Sequence, residues 1–135
     1  MGTDDKFEKV GLFLYGIGEP MAGCEMTDAE AIAWVQQIFP GKPYCLVRKW
    51  RWMDLEAPES VRQEIEGLGA TLAVIFADTV VHDSRWRFSP GSWVRSTYLV
   101  SYTEGGLFET ANTVYVLMGD GCRKTAEIDT VFSIF

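Results

Sequence analysis

A chain of 135 residues with 47% hydrophobic and 23% charged residues is long enough to bury a core without disulfides or a structural metal, and too apolar to stay disordered. Its formal net charge of −7 disfavours generic binding to a phosphate backbone unless positive charge is gathered on one face. Three widely spaced cysteines, Cys24, Cys45 and Cys122, suit a reducing compartment and no disulfide framework.

The opening Met1-Gly2-Thr3-Asp4-Asp5-Lys6 has no cationic region ahead of an apolar run, and Lys6 stands where a myristoylation pattern requires Ser or Thr. No segment approaches the roughly 20 apolar residues of a membrane span. The expectation is a cytoplasmic protein with no membrane partner. Phe7, Val10, Leu12, Phe13 and Leu14 suggest a short helix or packed segment. Gly16 to Gly23 reads as loop, because Pro20 and Glu19 argue against a phosphate-binding glycine turn.

Thr27-Asp28-Ala29-Glu30 has the form of a capping box, in which hydroxyl and carboxylate satisfy the free amides at a helix start. Ile32, Val35 and Phe39 then recur at helical spacing until Pro40-Gly41 ends the run. Tyr44 to Met53 reads as a strand whose alternation groups Leu46, Arg48, Trp50 and Trp52 against Cys45, Val47, Lys49, Arg51 and Met53. Its charges Arg48, Lys49 and Arg51 fit an edge strand guarded against aggregation, with internal cation–π pairing as the alternative.

Pro58 to Leu68 outlines a second amphipathic helix, and Thr71 to Val81, apolar on both faces, a central buried strand. Val94–Thr103 and Leu107–Met118 are expected to pair as a β-hairpin through Glu104-Gly105-Gly106. Gly119-Asp120-Gly121 would return the chain through Cys122–Ala126 as a meander, and Glu127–Phe135 is open between helix and strand. The sum is one α+β domain over residues 1–135, an antiparallel sheet of four or five strands with two or three helices packed mainly on one face.

Several strings carry a resemblance: Trp93-Val94-Arg95-Ser96-Thr97, Val100-Ser101, Glu104-Gly105-Gly106-Leu107-Phe108-Glu109-Thr110 and Asn112-Thr113-Val114-Tyr115. With Gly41 to Arg48 and Gly121 to Lys124, they make most of the chain similar to a family of small proteins of unknown function from proteobacteria and their phages. The resemblance implies no activity. Its phage association favours a host-interaction role, such as inhibition of a bacterial defence system, by analogy alone.

His82, Asp83 and Ser84 offer the residue types of a hydrolase triad, yet consecutive strand residues face alternate sides and cannot align as one. The cysteines and His82 lack the close ligand pair of a zinc site, and no pattern calls for a cofactor. The loop that carries Arg85, Trp86, Arg87 and Trp93, followed by Arg95, is the strongest candidate surface, since Trp and Arg dominate protein interfaces. The leading expectation is a non-enzymatic interaction module, an inhibitor or adaptor from a bacterium or phage, with a protein partner of unknown identity. Nucleic acid is disfavoured by charge, and self-association stays open. The alternative is a small enzyme with a pocket around His82 and the 95–113 hairpin, where Glu109 would supply an acid. Asn112 and Thr113 are costly in a strand and mark a bulge or site.

Overall fold

The computed structural model describes residues 18–133, so the expected packed segment Phe7–Leu14 lies outside the described residues. The order is β1 (Glu19–Ala22), α1 (Asp28–Ile38), β2 (Tyr44–Glu56), α2 (Glu59–Gly67), β3 (Ala73–Asp83), β4 (Val94–Arg95), β5 (Ser101–Thr103), β6 (Leu107–Glu109), β7 (Val114–Leu117), β8 (Asp120–Glu127) and α3 (Ile128–Phe132). The four- or five-stranded antiparallel sheet is therefore corrected. The described strands number eight and form one mixed sheet, curled into a half-barrel, with three short helices.

Strand β2 organises that sheet. One edge pairs antiparallel with β3 along nearly its whole length. The other edge is shared: residues 44–47 pair parallel with β7, and residues 51–56 pair parallel with β8. The expected edge strand is thus the centre of the sheet, and two of its three cations are matched locally. Arg51 bonds Asp78 at 2.9 Å and lies 5.3 Å over the Phe76 ring, while Arg48 reaches Asp28 at 3.4 Å.

The simple alternation also fails, because Cys45 and Val47 share a core cluster with Trp50 and Trp52. Lys49 takes a left-handed conformation, φ 55°, and shifts the inward side by one residue. Such a conformation costs a non-glycine residue about 1–2 kcal/mol, and nothing in a lysine announces it.

From β2 the sheet runs through β3 to β4 on one side and through β7 and β6 to β5 on the other. The segment from Val94 to Thr103 crosses the open side. Its Ser96 amide donates to the Ile75 carbonyl and its Leu99 amide to Ala73, while the Val100 amide donates to Glu109 at 2.8 Å. The expected long hairpin is therefore much shorter, with Ser101–Thr103 pairing Leu107–Glu109. Thr110 to Thr113 forms a turn that splits the remainder into β6 and β7, closed by the Thr110 hydroxyl against the Thr113 backbone. The meander is overturned too, since β8 pairs with β2 and β1 and never with β7.

Inside the curl, Trp52 meets Tyr102 and Phe108 edge-on at centroid distances of 5.0 and 4.9 Å. On the opposite face of β2, α1 packs Ala31 and Val35 against Tyr44, Leu46, Val114 and Val116. Further along that face, Ile65 of α2 and Val131 of α3 pack against Met53, Leu55, Val74 and Phe76. The capping box forms as read, with the Thr27 amide on Glu30 Oε1 at 3.0 Å and the Glu30 amide on Thr27 Oγ1 at 3.2 Å. Residues 19–22, expected as loop, are strand β1 against β8, where Pro20 is tolerable because an edge strand needs no amide there. The C-terminal ambiguity resolves as helix α3.

Where β7 hands over to β8, the fully buried Trp50 ring sits on a glycine floor. A Cβ on Gly121 would fall inside the indole, and one on Gly23 would strike the Leu117 and Gly119 carbonyls. The indole Nε1 donates to the Met118 carbonyl at 3.2 Å. Gly121→Ala is expected to lower stability by about 1–3 kcal/mol through overpacking, read as a lower urea midpoint. Gly67→Ala, where a Cβ would meet nothing within 4 Å, is expected to leave the midpoint unchanged or raise it.

Candidate functional site

The candidate loop leaves the end of β3 and returns to it. The Gly91 amide donates to the Val80 carbonyl and the Val80 amide to Ser92, each at 2.8 Å, which closes the loop at its base. Ser89-Pro90-Gly91-Ser92 makes the returning turn, with proline at its first central position, Gly91 at φ 89°, and a Ser92-to-Ser89 backbone bond of 3.1 Å. At the outgoing end, Ser84 and Tyr44 bond each other through two 2.9 Å contacts, tying the loop to the start of β2.

Asp83 holds the loop together. Its side chain is 0% exposed, and it accepts the backbone amides of Arg85 at 3.2 Å and Arg87 at 2.8 Å. The Arg87 guanidinium adds a two-pronged contact, Nε at 3.1 Å and Nη2 at 2.7 Å, and its Nη1 continues to Thr113 Oγ1 at 2.9 Å. Burial works to raise the Asp83 pKa, but the hydrogen bonds and charge of Arg87, with the Arg85 amide, outweigh it and hold the carboxyl below its ordinary value. Burial, with the charge of the same carboxylate added, pushes the neighbouring Cys45 thiol up to about 12. Tyr115, beside Cys45 in the β2–β7 register, is likewise pushed up to about 12, chiefly by burial.

The structure separates the five candidate residues into different roles. Trp86 stands at the loop tip, 71% exposed, with its backbone at φ 56°. Trp93 is 54% exposed, but it lies nearly parallel to Phe76 at 5.9 Å. Arg85 is exposed and reaches the Gly41 carbonyl at 3.4 Å. Arg87 is committed to Asp83 and carries loop structure rather than a spare contact. Arg95 turns toward α3, 4.4 Å over the Phe132 ring, with Nη1 donating to the Ser96 carbonyl, and burial lowers its pKa. A shallow open cleft of about 290 Å³ is lined by Phe88, Trp93, Val94 and Arg95.

The residues named for an enzyme pocket engage different partners. His82 lies between the Tyr44 and Trp86 rings, at 6.1 and 5.2 Å. Glu109 accepts from Lys42 Nζ and from Ser101 Oγ, both at 2.6 Å, and these bonds carry its pKa below normal against the opposing pull of burial. Asp83 bonds Arg87, and Ser84 Oγ accepts the Tyr44 amide, so the adjacent His, Asp and Ser diverge. Sequence reasoning missed Asp83 as the organiser. Its signal is an Asp ending an apolar strand with arginines two and four residues later, where two backbone amides and one guanidinium can fold back onto one carboxylate.

Fold and site together define a curled-sheet domain that displays a latched aromatic loop. The chain belongs to the family described as domain of unknown function DUF6957, matched over residues 21–133. No curated protein and no solved structure matches it. Among the described residues no helix is long and apolar enough to cross a membrane.

Asp83→Asn is expected to cost about 3 kcal/mol, the low end for breaking a buried pair, because the Arg87 side chain keeps 33% exposure. A depressed carboxyl contributes its stability above the unfolded value of about 4 and loses it as pH falls through the folded value. The variant is therefore expected to show a flatter fall in stability below about pH 4, measured by urea unfolding across pH. Thiol labelling at pH 8 is expected to modify half-buried Cys122 first and to reach Cys45 only on unfolding.

Proposed function

We propose that this protein is a non-enzymatic interaction module that meets a protein partner through the loop from Ser84 to Arg95. One observation carries the reading: a bulky residue, Trp86, is held in a left-handed conformation and left 71% exposed by a scaffold that pins the amides on either side of it. Such a backbone costs about 1–3 kcal/mol in a non-glycine residue and persists only where surrounding structure enforces it. The loop is also ordered before it binds, so little entropy is lost on association.

The rest of the proposal follows the chain's resemblance to small proteins of bacteria and phages. An inhibitor or adaptor of bacterial or phage origin, acting in the cytoplasm as a single domain, fits a small acidic chain whose exposed aromatics, among the described residues, gather on one loop. Nucleic acid is disfavoured by the net charge of −7. Affinity capture from the native host with the parent, Trp86→Ala and Trp93→Ala tests the reading. Trp86→Ala is expected to weaken capture of a specific partner about thirtyfold or more, the scale of an interface hot spot, with its melting temperature unchanged. Equal capture by all three proteins would refute the loop as the contact surface.

A further inference from the structure

We infer that Trp86 and Arg85 form the anchor of this interface, a convex knob that enters an apolar pocket of a folded partner protein with a carboxylate on the pocket rim. The inference rests on the interaction role proposed above and adds the partner's chemistry to it.

Shape supplies the first argument. Trp86 projects from a loop whose backbone is fixed on both sides, and it meets His82 at an interplanar angle of 86°. A fixed projecting indole cannot close around a ligand. Its complement has to be concave and dry, because a buried tryptophan contributes through the large area it removes from water. Trp93 differs, since its ring lies 21° from the plane of Phe76 and one face is spent inside the chain.

Charge supplies the second. The loops at this end of the molecule are joined through Arg85 to Gly41, Arg87 to Thr113 and Lys42 to Thr110. Among their ionic groups, Lys42 pairs with Glu109 at 2.6 Å and Arg87 with Asp83 at 2.7 Å. Arg85 rests on a carbonyl, and no carboxylate among the described residues pairs with it. A single cation is thus left next in sequence to the indole, within a chain of net charge −7. One rim carboxylate can take the guanidinium in a two-pronged contact, since within the acidic remainder the neighbouring Glu109 and Asp83 are already matched by Lys42 and Arg87. A single-stranded nucleic acid could stack on the same indole, but it brings a phosphate with every nucleotide against that acidic remainder.

The test places p-benzoylphenylalanine at position 86, and separately at position 93, in the full chain expressed in its cell of origin, followed by irradiation and mass spectrometry. The expected result is a protein adduct from position 86, mapped to a pocket with an Asp or Glu at its rim. Its yield should fall about tenfold when Arg85→Glu is added and recover with Arg85→Lys. An adduct from position 93 alone overturns the anchor while the interaction role of the loop stands. Adducts from neither position overturn both. Adducts from position 86 to nucleic acid or lipid overturn the partner class, and a yield indifferent to Arg85→Glu overturns the carboxylate rim. Thermal melts of each variant confirm that the fold is intact.

Discussion

The structure depends on the seat of Trp50. A parallel strand ordinarily runs beside its partner without interruption, yet β2 exchanges one neighbour, β7, for another, β8, halfway along a single edge. The gap has to be filled and its backbone groups satisfied. Trp50 does both, covering the step with its ring and accepting no substitute for the glycines beneath it, while Nε1 takes the Met118 carbonyl. Around it the Met118 amide bonds Val47, and the Cys24 amide bonds Leu117. The N-terminal strand, the centre of the sheet and its last strand are thereby joined at one place.

The consequence for function lies at the far end of β2. Past the irregularity between Leu46 and Val47, Cys45, Asp83 and Tyr115 arrive side by side on neighbouring strands. The carboxylate among them is fully buried and would be costly alone. Arg87 and two amides match it, and in doing so fold the loop that presents Trp86. One buried charge therefore converts an aromatic-rich segment into a surface of fixed shape.

Much of the local structure was legible. The capping box at Thr27, the stop at Pro40-Gly41, the apolar strand of residues 73–77 and the turn at Gly105-Gly106 follow from propensity and hydrogen-bonding capacity within a few residues. Asn112 and Thr113 were legible as an interruption, which proved to be a turn. The strands β1, β4 and β5 were not read in their true roles, since two to four residues carry too little periodicity.

By itself the sequence determined helices α1 and α2, the principal strands, the acidity of the whole and the aromatic and arginine content of the loop, because each depends on residues close together in the chain. Tertiary structure alone decided that a strand with three cations is central, that β7 and β8 share its edge, and that Asp83 takes Arg87 and leaves Arg85 at the surface. These outcomes depend on which neighbours remove water from each charge and satisfy each backbone group. Residues as far apart as Gly23, Trp50 and Met118 supply those neighbours only after the sheet has curled.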